Sequence, residues 1–238
     1  MGKLDGKVAM IGGGGSGIGK GIAKAFAEEG CALVLAGRTV SRLEATAEEL
    51  RQLGVEVLAV PTDVAKEDQV LDLFQQTMER FGRLDILVNA SGAFDGGEPD
   101  EISYEAWLNV VDANLNGPFL CSREAFRIMK QAGGGHILNI GSISAQMPRE
   151  ESAPYSATKF GIQGLTHSFA LDGRPYGIVV SILHPGNVMV ERRAGVQEIM
   201  MGTEEMGAVA LLMVTMPKGT NFYNAIVLPV EQPYLGRG

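Results

Sequence analysis

The chain has 238 residues, enough for one domain to bury its own core without disulfide or metal staples. With 45 % hydrophobic and 20 % charged residues, it is not a disordered, coiled-coil or collagen-like chain. Lys plus Arg is 20 against 28 Asp plus Glu, and the net charge of −8 repels phosphate backbones, which argues against nucleic-acid partners.

Short apolar runs alternate with helical patterns along the chain. Val8–Ile11 reads as a buried strand, followed by a glycine-rich turn and a helix from about Ser16 to Glu29 that Gly30 stops. Ala32–Ala36 is the next strand. Ser41 and Glu44 have capping-box spacing, which predicts a helix with Ser41 as N-cap that ends at Gly54. Val55–Val60 is a third strand, and the stripe Val70, Leu73, Phe74, Thr77, Met78 and Phe81 predicts a helix closed by Gly82. Leu84–Val88 is a fourth strand, with helices at Tyr104–Asn114 and Phe119–Lys130. Strand His136–Ile140, helix Tyr155–Asp172, strand Ile178–Leu183, helix Gly207–Val214 and strand Ala225–Val230 complete the pattern.

Strands joined by helical crossovers run parallel, and continuous apolar runs suit strands buried on both faces. The expectation is a single α/β domain over residues 1–238. It is a doubly wound, Rossmann-type parallel sheet of about seven strands with helices on both faces. Glycine is in excess, at 32 residues without a tripeptide period, as expected where backbone turns often or lies close to a ligand.

Cys31 and Cys121 sit among apolar neighbours with no CxxC spacing, so they read as reduced core thiols. His136, His167 and His184 are scattered singly, and no metal site is expected. The segment from Met1 to Gly6 has no apolar signal region, and the longest apolar run, Ala208 to Met216, is too short to span a bilayer. A cytoplasmic protein without a membrane partner is expected.

The loop Gly12–Gly19 follows the first strand and opens the first helix. Gly12, Gly14 and Gly17 satisfy GxGxxG, while Gly13, Gly17 and Gly19 satisfy GxxxGxG. Either register removes side chains where a pyrophosphate meets backbone N–H groups at a helix N-terminus, and Ser16 and Ile18 join Gly13, Gly17 and Gly19 as candidate contacts. An NAD site wants an acid at the end of the second strand, but no Asp or Glu occurs between Gly30 and Leu43. Arg38 stands there instead, with Thr39, Ser41 and Arg42 behind it. A guanidinium suits a 2′-phosphate, so NADP(H) is expected over NAD(H).

Tyr155 and Lys159 are spaced i, i+4 and share one helix face, and a lysine beside a phenol favours the phenolate. Ser142 lies just beyond the fifth strand, Asn89 ends the fourth, Pro185-Gly186 follows the sixth, and Asn114 ends a predicted helix. The C-terminal ends of strands are where open α/β sheets build their sites.

With these pieces the chain resembles the classical short-chain dehydrogenase/reductase family, from Gly6 to about Val230. The matching residues are Gly13, Gly17, Gly19, Asp63-Val64, Asn89, Gly92, Asn114, Ser142, Tyr155, Lys159 and Pro185-Gly186. The resemblance implies that Tyr155 is the general acid when a carbonyl is reduced, and the base in the reverse direction. It implies that Ser142 bonds the substrate oxygen, Lys159 holds the nicotinamide ribose, and Asn114 holds a water that passes protons to Lys159. Asp63 and Val64 would contact adenine, Asn89 would support the turn after the fourth strand, and Gly186 and Val188 would lie along the nicotinamide amide. It also implies a homo-oligomer, a tetramer or dimer, built on helices Phe119–Lys130 and Phe160–Asp172.

Some positions depart from the pattern. Gly12 and Val190 stand where the family usually has hydroxyls, Gly141 replaces the first Ser of a frequent pair, and the usual Asp-Gly-Gly near the C-terminus is absent. The substrate is expected to be a small-molecule carbonyl or alcohol of undetermined identity, in an apolar or mixed pocket with Phe94, Met147, Met189, Met200 and Met201 on its walls, and Arg149, Arg192 and Arg193 among acids. Met189 to Thr203 is short for a lid, and a small mobile flap is expected over Glu191–Thr203. The alternative is a dinucleotide-binding regulatory or scaffold protein with little turnover.

Overall fold

Strand β1 (Val8–Gly12) is buried on both sides, and its alternate residues enter two different cores. In the computed structural model, which describes residues 2–191, 195 and 198–233, Ala9 and Ile11 face one core and Val8 and Met10 the other. The first core is closed by helices α1 (Gly17–Glu28), α2 (Val40–Arg51) and α7 (Thr203–Val214), through Ile22, Phe26, Leu43, Ala47, Met206 and Met213. The second is closed by α3 (Glu67–Phe81) and α5 (Gly117–Ala132), through Leu73, Phe74, Ala125 and Met129, with Phe169 of α6 (Ala153–Gly173) packed on it.

The remaining strands are β2 (Ala32–Gly37), β3 (Val57–Pro61), β4 (Ile86–Asn89), β5 (Gly135–Ile140), β6 (Ile178–Pro185) and β7 (Asn224–Val227). They form one seven-stranded sheet in the order β3-β2-β1-β4-β5-β6-β7, with every pairing parallel. The register pairs Gly12 with Ala36 and Asn89, and Asn89 with Asn139. The C-terminal ends of the four central strands are thereby level. The order changes direction between β1 and β4, where a crevice opens in a doubly wound sheet.

Three local expectations are corrected. Ser41 does not cap α2; Thr39 is the N-cap residue, without a side-chain bond, and Ser41 lies inside the first turn. Leu43 N–H already bonds Thr39 O, so the helix starts as soon as the chain leaves β2, and Glu44 lies 3.7 Å from Arg51 instead. Asn114 does not end a helix. Helix α4 (Tyr104–Val111) runs through a π-helical turn, Asp112–Asn116, directly into α5. Pro118, in the first turn of α5, has no N–H and its ring crowds the carbonyl four residues back, so the i→i−4 ladder cannot continue and one wider turn takes it up. The last strand stops at Val227 rather than Val230, because the chain turns back at Pro229 and brings Gln232 onto the Asn187 backbone.

The expected flap over Glu191–Thr203 falls partly on residues 192–194 and 196–197, which lie outside the described residues. Its two ends are tied together: Val188 and Met201 form a parallel bridge, with Met189 N–H on Met201 O at 2.8 Å and Met201 N–H on Asn187 O at 2.9 Å.

Candidate active site

Gly13 and Gly14 both donate their N–H to Ala36 O, at 2.8 and 3.2 Å, which folds the glycine loop over the end of β2. Gly13 has φ +76°, and a Cβ there would lie 2.9 Å from Ala90 O. Gly19 is glycine for space: a Cβ would run into Gly13 O, so the first turn of α1 packs under the loop. Ser16 is the N-cap residue of α1 and makes no capping bond, which leaves the first amides of the helix available to an anion. The Gly17 N–H instead points at Glu191 Oε1, 3.4 Å away.

The loop is one wall of a cleft of about 590 Å³. Of the expected residues, Gly13, Ser16, Gly17, Ile18, Arg38, Asp63, Val64, Gly92, Tyr155 and Lys159 line it. Others stand behind the wall. Asn89 is buried and donates to Ser122 Oγ at 3.0 Å and Asn139 Oδ1 at 2.8 Å, bracing the sheet end. Gly186 packs under Gln232 and Val188 is buried at the bridge. Pro185 ends β6. Thr62, Lys66 and Glu191 also line the cleft, and the sequence reading missed them. Thr62 and Lys66 flank Asp63 and could have been found from it, whereas no motif marks Glu191.

Tyr155 sits in the first turns of α6, with the Phe94 ring 5.2 Å from its own. One turn on, Lys159 is 6 % exposed; its Nζ lies 5.5 Å from the Tyr155 ring centroid and donates to Ile140 O at 2.9 Å. Thr158 donates to Tyr155 O at 2.8 Å and accepts from Asn114 Nδ2 at 3.1 Å. Asn114 also bonds Ala93, so the loop after β4, the π turn and α6 are held as one unit. Ser142 caps the 3₁₀ turn Ile143–Ala145: its Oγ accepts from Ser144 N–H at 3.1 Å, which leaves the hydroxyl hydrogen free to donate elsewhere.

The charges are divided along the cleft. Arg38 and Arg42 lie at the β2 end, exposed, and Arg38 has no ion pair among the described residues. Burial pushes the Cys31 and Cys121 thiols up to about 12, so neither is a nucleophile. Among the described residues no group of three His, Cys, Asp or Glu could hold a metal ion, and no helix is long and apolar enough to cross a membrane. The cradle fits a dinucleotide: a side-chain-free loop, uncapped helix amides and a buried lysine beside a phenol share one cleft.

Residues 7–199 match the family model described as short chain dehydrogenase. The chain belongs to the short-chain dehydrogenase family. It is 40 % identical over 183 residues to an uncharacterised oxidoreductase of Thermotoga maritima, covering 77 % of this chain and 72 % of that one. Its structure is similar to a 3-ketoacyl-(acyl-carrier-protein) reductase of Brucella melitensis complexed with NADH, with TM-score 0.88, 28 % identity, and 94 % and 98 % of the two chains covered. It is also similar to an alcohol dehydrogenase of the archaeon Thermococcus sibiricus complexed with 5-hydroxy-NADP, with TM-score 0.86, 28 % identity, and 95 % and 97 % covered. This short-chain dehydrogenase thus shares fold and family with oxidoreductases.

Proposed function

We propose that this short-chain dehydrogenase reduces a carbonyl compound to an alcohol with NADPH, or runs the reverse, with Tyr155 as acid and base. The observation that carries the reading is Lys159, a buried cation set between the Ile140 carbonyl and the Tyr155 ring, in the same cleft as the amides of α1. A buried lysine beside a phenol at the rim of a cleft suits an acid–base site, where it can stabilise charge as it develops.

The glycine loop and the α1 amides would hold the pyrophosphate, Asp63 and Val64 would flank the adenine, and Arg38 with Arg42, which line the same cleft, would meet a 2′-phosphate. The nicotinamide, when bound, supplies or accepts the hydride. Tyr155 gives its phenolic proton to the carbonyl oxygen as the alcohol forms and takes it back in oxidation. Ser142 donates its free hydroxyl hydrogen to the same oxygen, and Lys159 holds the ribose hydroxyls and stabilises the phenolate between turnovers. Asn114 keeps the loop after β4 and α6 in register. The relatives support both nucleotides, one being complexed with NADH and one with an NADP derivative; the cluster of Arg38 and Arg42 favours NADP(H) here.

The reading extends to a cytoplasmic homo-oligomer, with Phe119, Phe160 and Leu171 exposed on α5 and α6 as the supporting observation. The test of function is loss of NADPH absorbance with cyclohexanone, ethyl acetoacetate and diacetyl, against NADH as control. Turnover of at least one supports the reading; binding of NADPH without turnover of any favours a regulatory dinucleotide-binding protein.

A further inference from the structure

His184 is fully buried at the end of β6, beside the fifth strand's exit, and the mechanism above does not use it. The register pairs Ile140 with Leu183, and Gly141 N–H bonds Leu183 O at 2.7 Å, so Gly141 lies across from His184. The imidazole fills the space that a side chain at 141 would take. A Cβ there would run into Nδ1, stand 2.7 Å from Cε1 and 3.1 Å from Ile182 Cδ1. A side chain at 141 and the His184 ring would therefore compete for one space.

The ring reaches the backbone of Ser142. Nδ1 is 3.2 Å from Ser142 N and 2.9 Å from Ser142 O. Ser142 O already accepts Ala145 N–H at 3.0 Å, whereas His184 is the one acceptor of Ser142 N–H among the described residues. A proton on Nδ1 donates to Ser142 O at 2.9 Å and leaves Ser142 N–H without its acceptor; a bare Nδ1 accepts Ser142 N–H at 3.2 Å but faces the carbonyl oxygen, and Nε2 has no partner in either form among the described residues. In either tautomer the ring is held to the Ser142 backbone, by accepting its N–H when Nε2 carries the proton and by donating to its carbonyl when Nδ1 does. Burial, which disfavours the imidazolium and is reinforced by Lys159 and His167, keeps the ring neutral against the opposing pull of Ser142 O.

We infer that His184 is a positioning residue for the reaction: its buried ring ties down the Ser142 backbone, and so the 3₁₀ turn that aims the Ser142 hydroxyl, and the glycine at 141 leaves it room. The inference rests on the role given to Ser142 above. The turn packs on α6, which carries Tyr155, so a shift at Ser142 N misaligns two groups that must meet one substrate oxygen.

The test has two arms. Nitrogen-15 NMR of the wild-type chain, which has 3 histidines to assign, reads the tautomer directly and needs no turnover. An Nδ1 hydrogen-bonded to the Ser142 backbone is expected, either bare and coupled to its N–H or protonated and coupled to its carbonyl; an Nδ1 coupled to neither overturns the inference. The second arm follows kcat with the best of cyclohexanone, ethyl acetoacetate and diacetyl, and Kd for NADPH by fluorescence. His184→Leu is expected to lower kcat about tenfold or more with Kd for NADPH unchanged. His184→Asn, whose Oδ1 can take the same N–H, is expected to keep most of it. Gly141→Ser is expected to lower kcat, and adding His184→Ala to it, which empties the space, to restore part. Wild-type kcat in His184→Leu, or in Gly141→Ser, overturns the proposal. If the wild type turns over none of the probes, the functional reading fails, and the NMR arm still decides the His184–Ser142 contact.

Discussion

Asn114 grips Ala93 from both sides: its Oδ1 accepts the Ala93 N–H at 2.7 Å and its Nδ2 donates to the Ala93 carbonyl at 3.0 Å. The same Nδ2 reaches Thr158, which in turn bonds the Tyr155 carbonyl. Asn114→Ala removes all three Asn114 bonds and takes the side-chain partner from the half-buried Ala93 amide and carbonyl. The expected cost is about 1–3 kcal/mol of stability and a roughly tenfold or larger drop in kcat. Thermal unfolding and turnover measured on the same sample check both, and an unchanged melting temperature contradicts the brace.

Arg38 is expected to read the 2′-phosphate. Arg38→Ala should weaken NADPH roughly ten- to a hundred-fold and scarcely change NADH, as the loss of a charge-assisted bond requires. Equal losses for both nucleotides in titration calorimetry would show that Arg38 does not meet the phosphate.

Glu191 presents a carboxylate to the Gly17 N–H at the start of α1, where a pyrophosphate is expected, and the neighbouring Val190 carries no hydroxyl to help. Two anions compete for one helix end. Glu191→Gln should tighten dinucleotide binding by roughly two- to fivefold, and more at low salt. Fluorescence titration at two salt concentrations reads the change, and weaker binding by the variant would mean that Glu191 supports the site instead.

His136 is buried in β5, with Nε2 2.7 Å from Ser181 Oγ. Burial lowers its pKa from 6.5 to about 4. Between those values the unfolded chain binds a proton that the folded chain refuses, so stability present above pH 6.5 is lost as pH falls towards 4. The loss reaches roughly 3 kcal/mol at the lower end. His184, lowered by burial in the same way, adds to it. His136→Gln should flatten that part of a melting-temperature profile. Parallel profiles for variant and wild type would contradict the assignment.

The sheet was legible because strands such as Val8–Gly12, buried on both faces, show as unbroken apolar runs, and the glycine loop, Tyr155 and Lys159 were legible because they are contiguous motifs. The continuity of α4 and α5 was not. The local pattern separates helices Tyr104–Asn114 and Phe119–Lys130, whereas the π turn carries the chain through, with Gly117 N–H on Asp112 O and its contacts on α6. Glu191, Gln232 and the fit of Gly141 to His184 were also hidden. Each depends on segments far apart in the chain, which no local spacing reports.

The central claim is that Tyr155 moves the proton. Its most direct test is Tyr155→Phe, measured for NADPH binding by fluorescence and for turnover with the best carbonyl substrate. The variant is expected to fold, to bind NADPH as the wild type does and to have lost turnover, because only the phenolic proton is missing. Wild-type kcat in that variant would contradict it.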